Sequence, residues 1–152
     1  MAHNVDTLTI SVVKTPAIGY PSFRSVDHKF VGPILIPDLD IYRVEASTGY
    51  EFYISFPQDE VVDTAFGFCG DNRFSLIDTE HDGNIVKAHL STTWIEGEGE
   101  IKASDYGFSM IPYGTWMGVV EFDSDEDWNR AQALCLNGFS IQCDIKELEL
   151  VE

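Results

Sequence analysis

Apolar and polar positions alternate without a break near the end of the chain. Phe139, Ile141, Cys143 and Ile145 take turns with Ser140, Gln142, Asp144 and Lys146. This predicts a strand with one face on a core and the other in water. Tyr50, Phe52, Ile54 and Phe56 alternate in the same way with Glu51, Tyr53 and Ser55, and Pro57 ends the run. Leu8, Ile10 and Val12 do so with Thr7, Thr9 and Ser11. Shorter strands are predicted over Asp40–Ala46, Phe66–Cys69, Arg73–Asp78, Ile85–Trp94 and Thr115–Phe122.

Turn chemistry divides these runs. Ser47-Thr48-Gly49 and Asp82-Gly83-Asn84 read as hairpin connections, and Asn137-Gly138 opens the last strand. Pro33 and Pro37 predict irregular chain or an edge strand between Phe30 and Asp40. One short helix is predicted near residues 125–135. Ser124 caps it, Asp125, Glu126 and Asp127 suit its positive end, and Trp128, Ala131, Leu134 and Cys135 share a face. The expected fold is all-β: an antiparallel sandwich of seven to eight strands, forming one domain over residues 1–152.

Charge narrows the partners. Twenty-six acidic against nine basic residues give a formal net charge of −17. Such a field repels phosphate backbones and anionic lipid, so neither nucleic acid nor a membrane is expected as a partner. It favours solubility and would draw a basic or polar protein segment by steering. No stretch approaches the length of a membrane span, and the N-terminus lacks the features of a leader. Cys69, Cys135 and Cys143 fit neither a disulfide framework nor a zinc site, so a reducing, cytoplasmic setting is expected. Cys135 and Cys143 sit in apolar patterns that predict buried thiols.

Catalytic and metal signals are weak. Asp78-Thr-Glu80-His-Asp82-Gly83 resembles the opening of a calcium loop, but its twelfth position is His89, and a hairpin turn accounts for the acids. His3, His28, His81 and His89 lack ligand spacing, and neither a nucleophile elbow nor a phosphate loop occurs. No catalytic residue, metal or cofactor is expected. The segment from Trp94 to Trp116 is richer, because aromatic residues interleave with glycines there. Tyr106 and Tyr113 are expected to be partly exposed on a recognition surface. Phe108, Ile111 and Trp116 fit a core role equally well.

Three pieces in order resemble the second half of the meprin and TRAF homology (MATH) family. They are Phe74–Asp78, Asp105-Tyr-Gly-Phe108 and Leu136–Ile145, and the likeness covers roughly residues 40 to 146. Tyr106 stands where the family has tryptophan, and Asn72 is polar where an aromatic is common. The resemblance implies a non-catalytic module that binds an extended peptide in a shallow groove. By position, Tyr106 and Phe108 would line it, with Tyr50 and Asn72 near other groove positions. A lectin-like sandwich is the alternative, with Trp94, Tyr106 or Trp116 stacking on sugar rings.

Overall fold

The computed structural model describes residues 4–14, 19–70, 74–75, 77–79 and 85–147. Among them the chain runs through β1 (Asn4–Val13), β2 (Arg24–Val26), β3 (Lys29–Leu35), β4 (Ile41–Val44), β5 (Glu51–Ile54) and α1 (Gln58–Gly70). It continues through β6 (Ile77–Thr79), β7 (Ala88–Ile95), β8 (Trp116–Phe122), α2 (Asp125–Ala133) and β9 (Gly138–Glu147). The described residues are therefore mostly β with two α-helices. Three sheets form: β6-β1-β9, β2-β3-β8-β7, and the β4–β5 hairpin. One apolar core joins them, drawing on residues from Ile10 in β1 to Ile141 in β9.

Several expectations are corrected. Phe66–Cys69 is not a strand but the end of α1, so the described residues hold two α-helices where one was expected. Val61, Ala65 and Phe68 recur at helical spacing and are buried. The Pro57 carbonyl accepts from the amides of Glu60 and Val61, starting the helix where the preceding strand stops. The pairing is also not wholly antiparallel, because β1 and β6 run parallel, with Ile10 opposite Ile77.

The proline-bearing segment is irregular only in its second half, where Pro37 and Asp38 form a turn; its first half, with Pro33, is not. Lys29–Leu35 forms β3, inside the four-stranded sheet. Pro33 is tolerated because β2 has already ended at the Arg24–Val31 pair, and the β3–β8 register shifts just beyond it. α2 follows the predicted capping, with the Ser124 hydroxyl accepting from the Asp127 amide at 3.3 Å. It stops at Ala133, however. Cys135 then adopts a left-handed turn (φ 56°) and is exposed with Leu134, so neither joins the buried face of Trp128 and Ala131.

The four-stranded sheet is covered on both faces. Along β8, Trp116, Val120 and Phe122 enter the main core, whereas Met117 and Val119 face the opposite side. Gly118 keeps the core side thin, since a Cβ there would lie 2.6 Å from Ile34 Cδ1 and 2.8 Å from Leu90 Cδ1. The excursion between β7 and β8, including a 3-10 turn over Ala103–Tyr106, folds over the Met117 face.

Candidate interaction surface

The β4–β5 hairpin presents the clearest exposed aromatic surface among the described residues. Its turn is held by Glu45, whose carboxylate accepts from the Ser47 hydroxyl at 2.9 Å and the Thr48 hydroxyl at 3.0 Å. Gly49 supplies the positive φ of 73° the turn requires, and its amide donates to the Glu45 carbonyl. The Glu45 amide donates to the Tyr50 carbonyl, which fixes the ladder: Arg43 opposite Phe52, Tyr42 opposite Tyr53. By the alternation of antiparallel ladders, Tyr42–Tyr53 and Val44–Glu51 are then pairs without mutual backbone bonds. Side chains approach closely at such pairs, and the N–H and C=O groups point to the outer edges.

The two faces differ sharply. Ile41 and Ile54 are buried in the core. Arg43 ties the same face down, donating to its neighbour's carbonyl on Tyr42 at 2.9 Å and to the Ile141 carbonyl of β9 at 3.3 Å. Facing out are Tyr42 (46% exposed), Val44 (49%), Glu51 and Tyr53 (67%). The tyrosine rings meet edge to face, with centroids 5.8 Å apart at 63°. The Tyr42 hydroxyl donates to Glu51 Oε1 at 2.6 Å, and this bond raises its ionisation above the ordinary phenol value. Tyr50, at the turn, is 63% exposed and stacks on Phe52. On the outer edge of β5, Glu51 and Tyr53 have no partner strand among the described residues.

The predicted site residues are divided, with Tyr50 at the turn of this hairpin and Tyr106 and Phe108 away from it. Tyr106 and Phe108 do come together, but against the outer face of the four-stranded sheet. Phe108 is only 5% exposed, packed with Val31, Trp94, Met117 and Val119. Half-buried Tyr106 stacks on Trp94 at 5.5 Å. Glu96 fastens this cover by accepting from the Trp94 indole N–H (3.0 Å) and the Ala103 amide (2.9 Å). Tyr113 is exposed as expected and donates to Glu98 at 2.5 Å. Tyr50 lies on the β4–β5 hairpin, apart from Tyr106 and Phe108, and Asn72 lies outside the described residues. Sequence reading missed Tyr42 and Tyr53. The available signal was phase: Tyr53 occupies the outward position between inward Phe52 and Ile54.

Polar groups elsewhere do structural work. The buried Ser11 hydroxyl donates to Asp78 across the parallel β1–β6 pair. His28, in the two-residue turn between β2 and β3, meets Asp27 through Nδ1 (2.8 Å) and Asp125 of α2 through Nε2 (2.7 Å). Both contacts raise its ionisation above the ordinary value of 6.5, Asp27 contributing most. His89 Nδ1 lies 2.8 Å from Asp123. Residues 80–84, with the calcium-loop resemblance and the predicted turn at Asp82-Gly83-Asn84, lie outside the described residues. Among those described, no cluster of three or more His, Cys, Asp or Glu side chains is placed to hold a metal ion. No described helix is long and apolar enough to cross a membrane.

No protein-family model, curated protein or solved structure matches this chain.

Proposed function

We propose that this protein is a non-catalytic interaction module that takes an extended segment of a partner protein on the β4–β5 hairpin. The observation that carries the reading is the Tyr42–Tyr53 pair, exposed on a hairpin whose other face is anchored to the core. Clustered exposed aromatic residues mark contact surfaces, since large rings bury much area at little entropic cost. The open edge of β5 adds a second element of recognition. The outward N–H and C=O groups of Glu51 and Tyr53 suit main-chain pairing with an added strand, while side chains above it meet the tyrosines. The net charge of −17 favours a basic or polar segment and disfavours pairing with a second copy.

The MATH-like two-sheet sandwich stays part of this proposal only as an architectural comparison. The parallel β1–β6 pair and α1 are departures from an antiparallel eight-stranded sandwich. Peptide binding therefore rests on the hairpin and not on the Tyr106–Phe108 positions. The cytoplasmic setting is likewise proposed from the cysteine pattern alone. A sugar-binding role has less support, because the rings of Trp94 and Trp116 are covered.

Selection from displayed random twelve-residue peptides tests the reading. Enriched peptides should bind the native protein and lose at least tenfold in affinity against a Tyr42→Ser/Tyr53→Ser double variant with unchanged stability. Peptides that bind both proteins equally would refute it.

A further inference from the structure

We infer that Tyr42, Tyr53 and Glu51 form a subsite for one cationic side chain, a lysine ammonium or an arginine guanidinium, of the bound segment. The inference rests on the hairpin being the contact face. Its own support is the chemistry of the three groups. The two tyrosine rings meet edge to face at 63° and both side chains remain largely exposed, so ring surface is left to solvent, and the face of an aromatic ring carries the negative part of its quadrupole. Glu51 stands beside the Tyr42 ring, held there by the Tyr42 hydroxyl on Oε1.

That single bond leaves the second carboxylate oxygen without a protein partner among the described residues, so it can accept from an incoming N–H. Val44, directly opposite Glu51 and half exposed, supplies apolar surface for the methylenes of a long side chain. The hairpin cannot satisfy this site itself. Its one basic residue, Arg43, is on the other face and is bound to the carbonyls of Tyr42 and Ile141. Asp38, Asp40 and Glu45 lie close by in the chain and add to the field that would draw a cation.

Arginine is the better fit of the two cations. Its planar group can stack on one ring while donating to Glu51, whereas an ammonium offers a point charge. Loss of either component should reduce affinity by about three- to tenfold, the range expected for a partly exposed cation–π contact with a charged hydrogen bond.

Two measurements test the subsite. In the first, N-methylguanidinium and n-butylammonium are titrated into the native protein, with sodium chloride at equal ionic strength as the control. The Tyr42 and Tyr53 ring protons should shift more than with sodium, progressively over roughly 0.1–1 M cation as expected for a weak exposed contact, and Glu51→Gln or Tyr53→Leu should reduce that excess. Both side chains are exposed, so an unchanged amide spectrum will establish that each variant is folded. Shifts no larger than those with sodium would overturn the subsite. The second uses hairpin-dependent peptides, replacing each lysine or arginine by norleucine. One replacement should cost at least about three- to tenfold in the native protein and clearly less in Glu51→Gln, where only the ring contact remains. Peptides that need the tyrosines yet ignore both changes would overturn the subsite and leave the interaction role standing. Failure to obtain any hairpin-dependent peptide would instead remove the role on which the inference rests.

Discussion

The guanidinium of Arg24 lies over the ring of Phe108, 5.4 Å from its centroid, and donates to the carbonyl of Gly107 at 3.2 Å. An edge-strand residue thereby clamps the Tyr106-Gly107-Phe108 segment onto its own sheet. These aromatic residues act as a cover for the four-stranded sheet, and removing them should be felt as instability. Phe108→Ala is expected to cost about 3–5 kcal/mol, the usual range for truncating a buried phenylalanine. Tyr106→Ala should cost less, since its ring is half exposed, though it forfeits the stack on Trp94. Urea unfolding of both variants checks this. Native-like midpoints would show that the segment is not packed as described.

The cover also depends on one backbone position. Gly97 has φ of +92°, and a Cβ there would lie 2.1 Å from the Tyr113 ring. Gly97→Ala should destabilise the protein by more than about 1 kcal/mol, through backbone strain and displacement of Tyr113. The matching change at Gly99, which has φ of +92° but nothing within 4 Å, should carry the strain alone. A larger loss at Gly99 than at Gly97, measured by thermal unfolding, would contradict the packing.

The start of α2 offers a simpler test. Ser124→Ala removes the only side-chain acceptor described for the Asp127 amide and should cost about 1 kcal/mol. Ser124→Asp should retain most of it. Chemical denaturation separates the two outcomes.

His28 couples this helix to pH. A neutral imidazole can donate from one nitrogen only, yet both of its nitrogens face carboxylate oxygens. The arrangement suits the protonated ring, which also stacks on Trp128. Its native ionisation is raised above 6.5. The stability it contributes is therefore complete below that value and declines as pH rises through the raised native value. The contribution is small, because the site is open to solvent. Proton NMR should find His28 titrating above 6.5, and Asp125→Asn should bring it down; an unmoved midpoint would break the link to α2.

Much of this fold could be read from alternation. β5, β9 and the turn at Ser47-Thr48-Gly49 announce themselves through period-two patterns and turn residues, and α2 through its cap and acidic first turn. α1 was obscured because β-branched Val61, Val62 and Thr64, with Gly67, weaken the local helical signal. Its helical spacing becomes decisive only when the core is visible. β3 was obscured by Pro33, whose missing N–H matters only if a neighbour strand needs it. The candidate surface was harder still. Tyr106 and Tyr53 look alike in sequence, and only the cover clamped by Arg24 distinguishes a ring turned inward from one left in water.

In the role we propose, an extended partner segment lies along the outward face and outer edge of the β4–β5 hairpin. Amide hydrogen exchange, with and without a saturating selected peptide, tests it most directly. New protection is expected at Glu51 and Tyr53, whose amides point away from β4, with little change at Gly107 and Phe108. Protection confined to the Tyr106–Phe108 segment, with β5 unaltered, would contradict it.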